Sequence, residues 1–305
     1  MNIKIGITQG GLSLNKRNNQ TLPQNTPQTN PIQSWKQEFD NLNKLENITL
    51  FNNSSYKINK LSHIEWVITK QNFKDNPLFD KKNVLKPYPI IFVSANNMLD
   101  KNFYKKEFMD KNLKPICDAA LKNGIKYVEI PLKNITNIEN LEPLQKLLLV
   151  KNLKEYAKKY KKSGLIFLLD FECAPELILS VIKGVSNLKL TYDVATITAY
   201  KGKNLNHKHF LSKLYKNIVN VRLKDVTMKG VSAEIGEGDV DFNEIFSNLV
   251  FTNKYKGYFT LQAIKSESGK EIITVANCLK YFMRAIASIE KVHARKQGVV
   301  SLVSQ

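Results

Sequence analysis

The segment LIFLLDFE, residues 165–172, has the composition of a strand that is buried on both faces. Long apolar runs of this kind are typical of parallel sheets, because helices cover both of their faces. Alternation along the strand puts Asp170 and Glu172 on one face, near its C-terminal end. Two carboxylates late in a buried strand make this end of the predicted sheet the candidate location of a functional site.

Seven further apolar or β-branched runs repeat the pattern, and stretches of helical period separate them. The eight predicted strands span residues 3–8, 63–69, 89–96, 126–132, 165–172, 188–194, 218–225 and 258–264. The predicted helices span residues 35–45, 103–123, 139–162, 175–186, 207–215, 242–251 and 269–293, and residues 72–86 are the weakest helical stretch. This alternation favours a single-domain (β/α)8 TIM barrel of the α/β class over an open doubly wound sheet.

The length and composition agree with one such domain. A chain of 305 residues with 43% hydrophobic content can bury a full barrel core, which we expect to span residues 1–293. Residues 12–32 are rich in Asn, Gln, Thr and Pro, so they predict a polar loop insertion over the barrel mouth, at the C-terminal ends of the strands. Whether that insertion is a lid or a loop without a role stays open. Residues 294–305 are expected to form a flexible C-terminal tail.

The formal net charge of +19 raises the question of a nucleic-acid partner. Only four of the 46 basic residues are arginine, however, and the lysines are spread along the chain beside many asparagines. A nucleic-acid binder more often concentrates arginine and aromatic residues in one element. Lys and Asn both have A-rich codons, so compositional bias alone explains this charge and we expect no nucleic-acid partner.

Cysteine usage and the N-terminus bear on the compartment. Cys117, Cys173 and Cys278 are far apart and form no CxxC or CxxH pair, which argues against a disulfide framework and a structural zinc site. The first residues lack the apolar stretch of a signal peptide, and no run of about 18 apolar residues indicates a membrane span. We therefore expect a cytoplasmic protein without a membrane partner, and a homo-oligomer is compatible with the sequence.

Polar residues also end the three strands that follow residues 165–172. Asp193 ends the sixth strand, Arg222 lies late in the seventh, and Gln262 lies in the eighth. The C-terminal ends of parallel strands meet at one rim of a barrel, so we expect these side chains to converge. With Asp170 and Glu172 they form the predicted catalytic group.

Two further acids, Glu65 and Glu129, interrupt the second and fourth predicted strands. A single buried acid is often the salt-bridge partner of a nearby cation. Each of the two is therefore either a substrate-binding residue or a salt-bridge partner.

A glycine-rich loop, IGEGD at residues 235–239, follows the seventh strand. Barrels often bind phosphate with the loops after strands seven and eight, and Gly236 and Gly238 would let backbone N–H groups approach it. Lys224, Lys265 and Ser266, together with Ser268, offer further donors for this predicted substrate-binding group. The alternative is that the loop only forms a tight entry to the next helix.

Several segments resemble the sugar-phosphate isomerase/epimerase family of the xylose-isomerase-like TIM-barrel superfamily. KIGITQGGLS (4–13) is similar to the first-strand motif of that family, and HIEWVITKQNFKDNPL (63–78) is similar to its second-strand segment. The distinctive match is the block formed by VNVRLKD (219–225), EIGEGDVDFNEIFSNL (234–249) and YKGYFTLQ (255–262). The resemblance covers nearly the whole chain.

The resemblance implies a divalent ion, Mn, Mg or Zn, which polarises a sugar carbonyl while two carboxylates exchange a proton beside it. The family holds that ion with a Glu, an Asp, a His and a Glu from strands five to eight. Carried onto this chain, the first two metal ligands are Glu172 or Asp170, and Asp193. Arg222 stands in the His position and Gln262 in the last Glu position, and a guanidinium cannot coordinate a metal. We therefore expect metal binding to be weakened or absent, with Arg222 and Gln262 orienting the substrate.

The leading functional hypothesis is isomerisation or epimerisation of a phosphorylated or activated sugar. A non-catalytic sugar-binding or scaffold protein on the same barrel is the alternative. An endonuclease-IV-like DNA repair enzyme is the least favoured, because its zinc ions need clustered His and carboxylate ligands and the chain has four scattered histidines. A small-molecule sugar is the expected partner in the first two cases.

Overall fold

The computed structural model describes residues 3–9, 39–41, 44, 61–200, 206–262 and 270–303. Eight parallel strands form a closed barrel in the order β1-β8-β7-β6-β5-β4-β3-β2, which confirms the predicted (β/α)8 TIM barrel. All eight strands lie where the apolar runs predict them. Their bounds are β1 Lys4–Thr8, β2 Ile64–Ile68, β3 Ile90–Ala95, β4 Tyr127–Leu132, β5 Ile166–Phe171, β6 Leu188–Asp193, β7 Ile218–Leu223 and β8 Tyr258–Leu261.

The helices pack around the outside of the barrel. Those described are α1 Lys106–Asn112, α2 Lys114–Lys122, α3 Pro143–Tyr160, α4 Pro175–Ile182, α5 Val194–Ala199, α6 His207–Leu214, α7 Phe242–Phe246 and α8 Glu271–Val303. Local signals set several of their ends. Pro175 begins α4, Asp241 caps α7 by accepting a hydrogen bond from the Glu244 N–H, and Gly124 has the left-handed conformation (φ 74°) just after α2.

Two helical predictions differ from the structure, and one helix of the structure has no counterpart among the predictions. Residues 103–123 form two helices that meet at Leu113, because Pro115 lacks the N–H that a continuous helix would use. Residues 72–86 contain only a 3-10 turn, Pro77–Phe79, which begins after the capping side chain of Asn76. Helix α5 was not predicted, since it is short and follows β6 without a loop.

Helix α8 continues to Val303, so residues 294–303 are helical where the sequence predicts a flexible tail. Between Ile272 and Arg295 it is long and apolar enough to cross a membrane by length and composition alone. Val275, Leu279, Phe282 and Ile286 of this helix are buried, as in a helix that packs on a protein core.

The expected polar insertion at residues 12–32 lies outside the described residues, as does most of the predicted helix at 35–45.

The lower half of the barrel interior, at the N-terminal ends of the strands, is filled by rings. We call His63, Phe92, Tyr127 and Tyr258 the aromatic layer. The ring of Phe92 lies 5.0 Å from those of His63 and Tyr127 and 5.2 Å from that of Tyr258. A Cβ at Gly6 would collide with the backbone oxygen and the ring of His63, so β1 passes this layer only because residue 6 is glycine.

Candidate functional site

Arg222 of β7 occupies the centre of the upper half of the barrel interior and is only 1% exposed. Its Nη1 atom lies 2.6 Å from Asp170 Oδ2, and its Nη2 atom lies 2.6 Å from Glu65 Oε1 and also contacts Glu129 Oε1. Glu65 and Glu129 are therefore salt-bridge partners, which is one of the two roles that the sequence left open. The guanidinium is surrounded by acids and does not face the solvent.

The pleat and register of the strands bring these side chains together. Asp193 pairs in register with Arg222, and Glu129 pairs with Ser94, so these positions lie at similar heights in the barrel. The carboxylate oxygens of Glu129 and Glu65 that do not contact Arg222 accept hydrogen bonds from hydroxyl groups. Thr191 donates to Glu129 Oε2 over 2.5 Å, and Thr8 donates to Glu65 Oε2 over 3.3 Å. The convergence of strand ends that the sequence predicts thus occurs for Asp170, Asp193 and Arg222.

Lys133, which the sequence did not single out, completes the group. It follows β4 directly, and its Nζ atom lies 2.5 Å from Asp170 Oδ2 and 3.1 Å from Asp193 Oδ2. The other oxygen of Asp193 accepts hydrogen bonds from the N–H groups of Ala195 and Thr196 at the start of α5. We call Glu65, Glu129, Lys133, Asp170, Asp193 and Arg222 the charged cluster.

The two aspartates of the charged cluster have pKa values that are shifted in opposite directions by their environments. Burial raises the pKa of Asp170, and the lowering by Lys133 and Arg222 does not cancel that effect. Burial would also raise the pKa of Asp193, but Lys133 and Arg222 outweigh it and lower the pKa to about 2. For Lys133, burial opposes the charged form, yet Asp170 and Asp193 raise its pKa. The two cations therefore stay charged, while the acids differ in their affinity for a proton.

The residues present do not fit a divalent ion. The Arg222 guanidinium lies among Glu65, Glu129 and Asp170, where a cation would otherwise be bound by those carboxylates. Within residues 61–200, 206–262 and the other described segments, no three His, Cys, Asp or Glu side chains are arranged to hold a metal. Of the predicted ligands, Asp193 and the alternative Asp170 are engaged by Lys133, and Glu172 Oε2 accepts the Asn134 N–H over 2.9 Å.

Glu172 is the most accessible of the predicted acids. It follows β5 on the inward face that it shares with Asp170, one alternation step nearer the mouth, and it is half-buried. Gln262 follows β8 and is also half-buried, with its N–H donating to the Leu223 carbonyl over 2.9 Å. These two residues therefore lie at the rim of the barrel, above the charged cluster.

The glycine-rich loop wraps around an internal carboxylate. The N–H groups of Gly236, Gly238 and Val240 donate to the side chain of Asp225, at 2.8, 3.1 and 3.3 Å respectively. A Cβ at Gly238 would collide with that carboxylate, which explains the glycine there. These N–H groups are thus directed at Asp225, and the structure does not bring them to the charged cluster.

The remaining predicted binding residues lie elsewhere. Lys224 is half-buried directly after β7. Lys265, Ser266 and Ser268 lie in residues 263–269, outside the described part of the chain.

No protein-family model matches the chain, and no curated protein matches it in sequence. Solved structures do match its fold. A D-tagatose 3-epimerase-like protein is 16% identical with a TM-score of 0.64, over 95% of this chain and 100% of that one. The 3-keto-D-glucoside 4-epimerase from E. coli is 12% identical with a TM-score of 0.59, over 92% and 99% of the two chains.

A xylose isomerase-like TIM barrel protein from Mycobacterium smegmatis, in complex with magnesium, is 14% identical with a TM-score of 0.59, over 94% of this chain and 97% of that one. At such identities the similarity extends to the arrangement of strands and helices. The chain therefore has the TIM-barrel fold of xylose isomerase-like proteins and sugar epimerases.

Proposed function

We propose that the chain binds a sugar at the mouth of the barrel and isomerises or epimerises it by moving a proton beside a carbonyl, with no divalent ion at the position of Arg222. The observation that carries this proposal is the charged cluster itself, in which carboxylates and two cations gather at the C-terminal ends of the strands. The fold supports it, because D-tagatose 3-epimerase-like and 3-keto-D-glucoside 4-epimerase structures share it.

The reaction needs a base that the substrate can reach. Glu172 is half-buried at the rim, whereas Asp170 is 1% and Asp193 is 4% exposed. Glu172 would take the proton from the carbon beside the carbonyl, and the electron pair of that C–H bond would form an enediolate. Return of that proton to the neighbouring carbon, while a hydroxyl proton passes from one enediol oxygen to the other, gives isomerisation. Epimerisation would need a second acid that delivers a proton to the opposite face of the same carbon.

The charges in the site favour an uncharged sugar over a phosphorylated or otherwise activated one. Two cations face four carboxylates in the charged cluster, so a phosphate there would meet an excess of negative groups. The N–H groups of Gly236 and Gly238 donate to Asp225. A sugar phosphate remains the competing substrate class. Its phosphate would be bound by a basic residue such as Lys224, which directly follows β7.

A non-catalytic sugar-binding protein is the second candidate. It is favoured by the pairing of Arg222 with three carboxylates, an arrangement that stabilises the acids as a static network. A cytoplasmic location, and a homo-oligomer, stay predictions from the sequence.

The test is exchange of substrate C–H hydrogen with deuterium in heavy water, measured by NMR on a panel of ketoses, aldoses and their phosphates. Each reaction is run with a chelator and again with Mn²⁺ or Mg²⁺. We expect exchange into one uncharged sugar, which persists in the chelator and is lost in Glu172→Gln. Sugar binding without exchange would support the second candidate, and a stoichiometric metal that the exchange requires would contradict a metal-free site.

A further inference from the structure

Proton removal beside a carbonyl places negative charge on the carbonyl oxygen, and that charge needs a positive partner. Arg222 cannot supply it. Its Nη1 and Nη2 atoms are directed at Asp170, Glu65 and Glu129, and the residue is 1% exposed. A sugar at the mouth would have to displace those acids to contact the guanidinium.

Lys133 is the other cation of the charged cluster, and it lies nearer to solvent. Its side chain is 17% exposed, compared with 2% for the side chain of Arg222. The Arg222 side chain is thus covered, while the Lys133 side chain, within the same cluster, keeps some exposed surface.

A tight turn fixes the position of Lys133 after β4. Its N–H donates to Thr136 Oγ1 over 3.2 Å, and the Thr136 hydroxyl lies within 2.9 Å of the carbonyl oxygens of Pro131 and Lys133. Asn134 adopts a left-handed conformation with φ of 55°, which turns the chain back at once. The backbone that carries the ammonium is therefore constrained by the barrel strand and by this turn.

The hydrogen-bonding capacity around Lys133 is incomplete. An ammonium group has three donors, and Asp170 and Asp193 accept two of them. The second oxygen of Asp170, Oδ1, is buried and has no hydrogen-bond partner. Within the described part of the chain the third Lys133 N–H has no acceptor, so it can donate to a carbonyl oxygen such as that of a ketose or aldose, whereas Asp170 Oδ1 lies too deep for a sugar to reach.

We infer that Lys133 binds the reacting carbonyl oxygen of the sugar, with Asp170 and Asp193 as positioning residues that hold its ammonium group toward the mouth. The inference rests on the proposed function. When the C–H bond breaks, its electron pair forms the new C=C bond, and the π pair of the carbonyl moves to oxygen. The Lys133 N–H hydrogen bond stabilises that oxygen, and its proton stays on nitrogen.

The role differs from that of a lysine nucleophile. A Schiff base needs a neutral amine, whereas two carboxylates within 3.1 Å keep this nitrogen protonated. Reduction with borohydride in the presence of sugar should therefore leave the mass of the protein unchanged. A sugar adduct on Lys133 would overturn the electrostatic role.

Deuterium exchange in the wild type is compared with exchange in Lys133→Met, Lys133→Gln and Lys133→Ala. We expect Lys133→Met and Lys133→Gln to lower kcat by about 100-fold, with a much smaller change in KM, because the donor acts on charge that develops in the transition state. Ethylammonium should restore part of the rate of Lys133→Ala. Lys126→Met is the matched control, since Lys126 is exposed beside the other end of β4 and its loss should not alter the rate.

The outcomes separate the inference from the proposed function. If folded Lys133→Gln exchanges deuterium at the wild-type rate, the inference is overturned and the proposed function stands. The same conclusion follows if ethylammonium does not change the exchange rate of Lys133→Ala. Absence of both binding and exchange in the wild type would overturn the proposed function, and the inference with it. Thermal melting of each variant identifies any that fails to fold, and the rescue of Lys133→Ala then decides.

Discussion

The two halves of the barrel interior are built by the same strands in opposite ways. On β3, β4 and β8, the rings of Phe92, Tyr127 and Tyr258 fill the lower half. Two residues further along each of these strands, Ser94, Glu129 and Thr260 are hydrogen-bonded polar residues. A step of two residues keeps a side chain inside the barrel, so the change from rings to polar groups is one of chemistry and not of direction.

This contrast shows where the chain accepts a loss of stability. Burial of aromatic rings is favourable by itself. Burial of ions costs desolvation free energy, and replacement of a buried ion network by apolar residues is often neutral or stabilising. A cluster of six charged residues buried just below the mouth therefore has its best explanation in binding and chemistry at that end of the barrel.

The largest effect is expected from Arg222→Met. Removal of the guanidinium leaves Glu65, Glu129 and Asp170 as buried acids without their cation, so the free energy of unfolding should fall by about 4 kcal/mol at neutral pH. Urea denaturation measures the loss, which should shrink at acidic pH as the acids take up protons. The exposed Arg284 gives the control, Arg284→Met. A loss below about 1 kcal/mol would contradict the central role of Arg222.

Phe92→Ala tests the other half of the interior. Phe92 is 1% exposed and contacts three rings of the aromatic layer, so its truncation should lower the free energy of unfolding by about 3 kcal/mol. Unlike the loss in Arg222→Met, this loss should vary little with pH. Deuterium exchange of the sugar should be unchanged in the folded variant. A changed exchange rate would show that the two halves are coupled.

Acid should destabilise the aromatic layer through His63. Burial lowers the pKa of His63 from 6.5 to about 3, so below pH 6.5 the unfolded chain binds a proton that the folded chain excludes. The free energy of unfolding should therefore decrease as the pH falls, by about 1.6 kcal/mol between pH 6.5 and pH 5 for this group. His63→Gln should reduce the slope, whereas His209→Gln, at a partly exposed position on α6, should not. Equal slopes in both variants would rule out His63 as the source.

Thr191→Val should have the smallest effect. The substitution keeps the shape of the side chain but removes the hydroxyl that donates to Glu129 Oε2, so the free energy of unfolding should fall by about 1.5 kcal/mol. Chemical denaturation gives the value. Thr252→Val is the control, because the Thr252 hydroxyl bonds the Ser247 carbonyl on the exposed surface. An effect no larger than that of the control would show that the charged cluster does not depend on its strand hydroxyls.

The sequence predicts the barrel well, because apolar runs such as residues 165–172 report strands that are buried on both faces. It also identifies Asp170, Asp193 and Arg222 as neighbours, since polar residues late in such runs converge at one rim. The salt bridges of Glu65 and Glu129 with Arg222 follow from pleat and register, which the sequence does not specify residue by residue.

Lys133 could not be found in the same way. It lies after β4 and outside the apolar run, in a chain where lysine is so common that one more lysine carries no signal. Its one local feature is the tight turn at Lys133 and Asn134 that follows the strand. The glycine-rich loop was misleading for a different reason. Glycines let backbone N–H groups approach an internal carboxylate as closely as a phosphate, and here the N–H groups of Gly236 and Gly238 donate to Asp225.

The place of β1 in the closed ring affects the order in which the sheet assembles. β1 pairs with β8 near the far end of the described chain, as Lys4 with Tyr258, and with β2 over only two residue pairs. Contacts between segments distant in sequence form late, because closing a long loop costs entropy beforehand. The strand that comes first along the chain is thus expected to be the last to join the ring and the first to leave it.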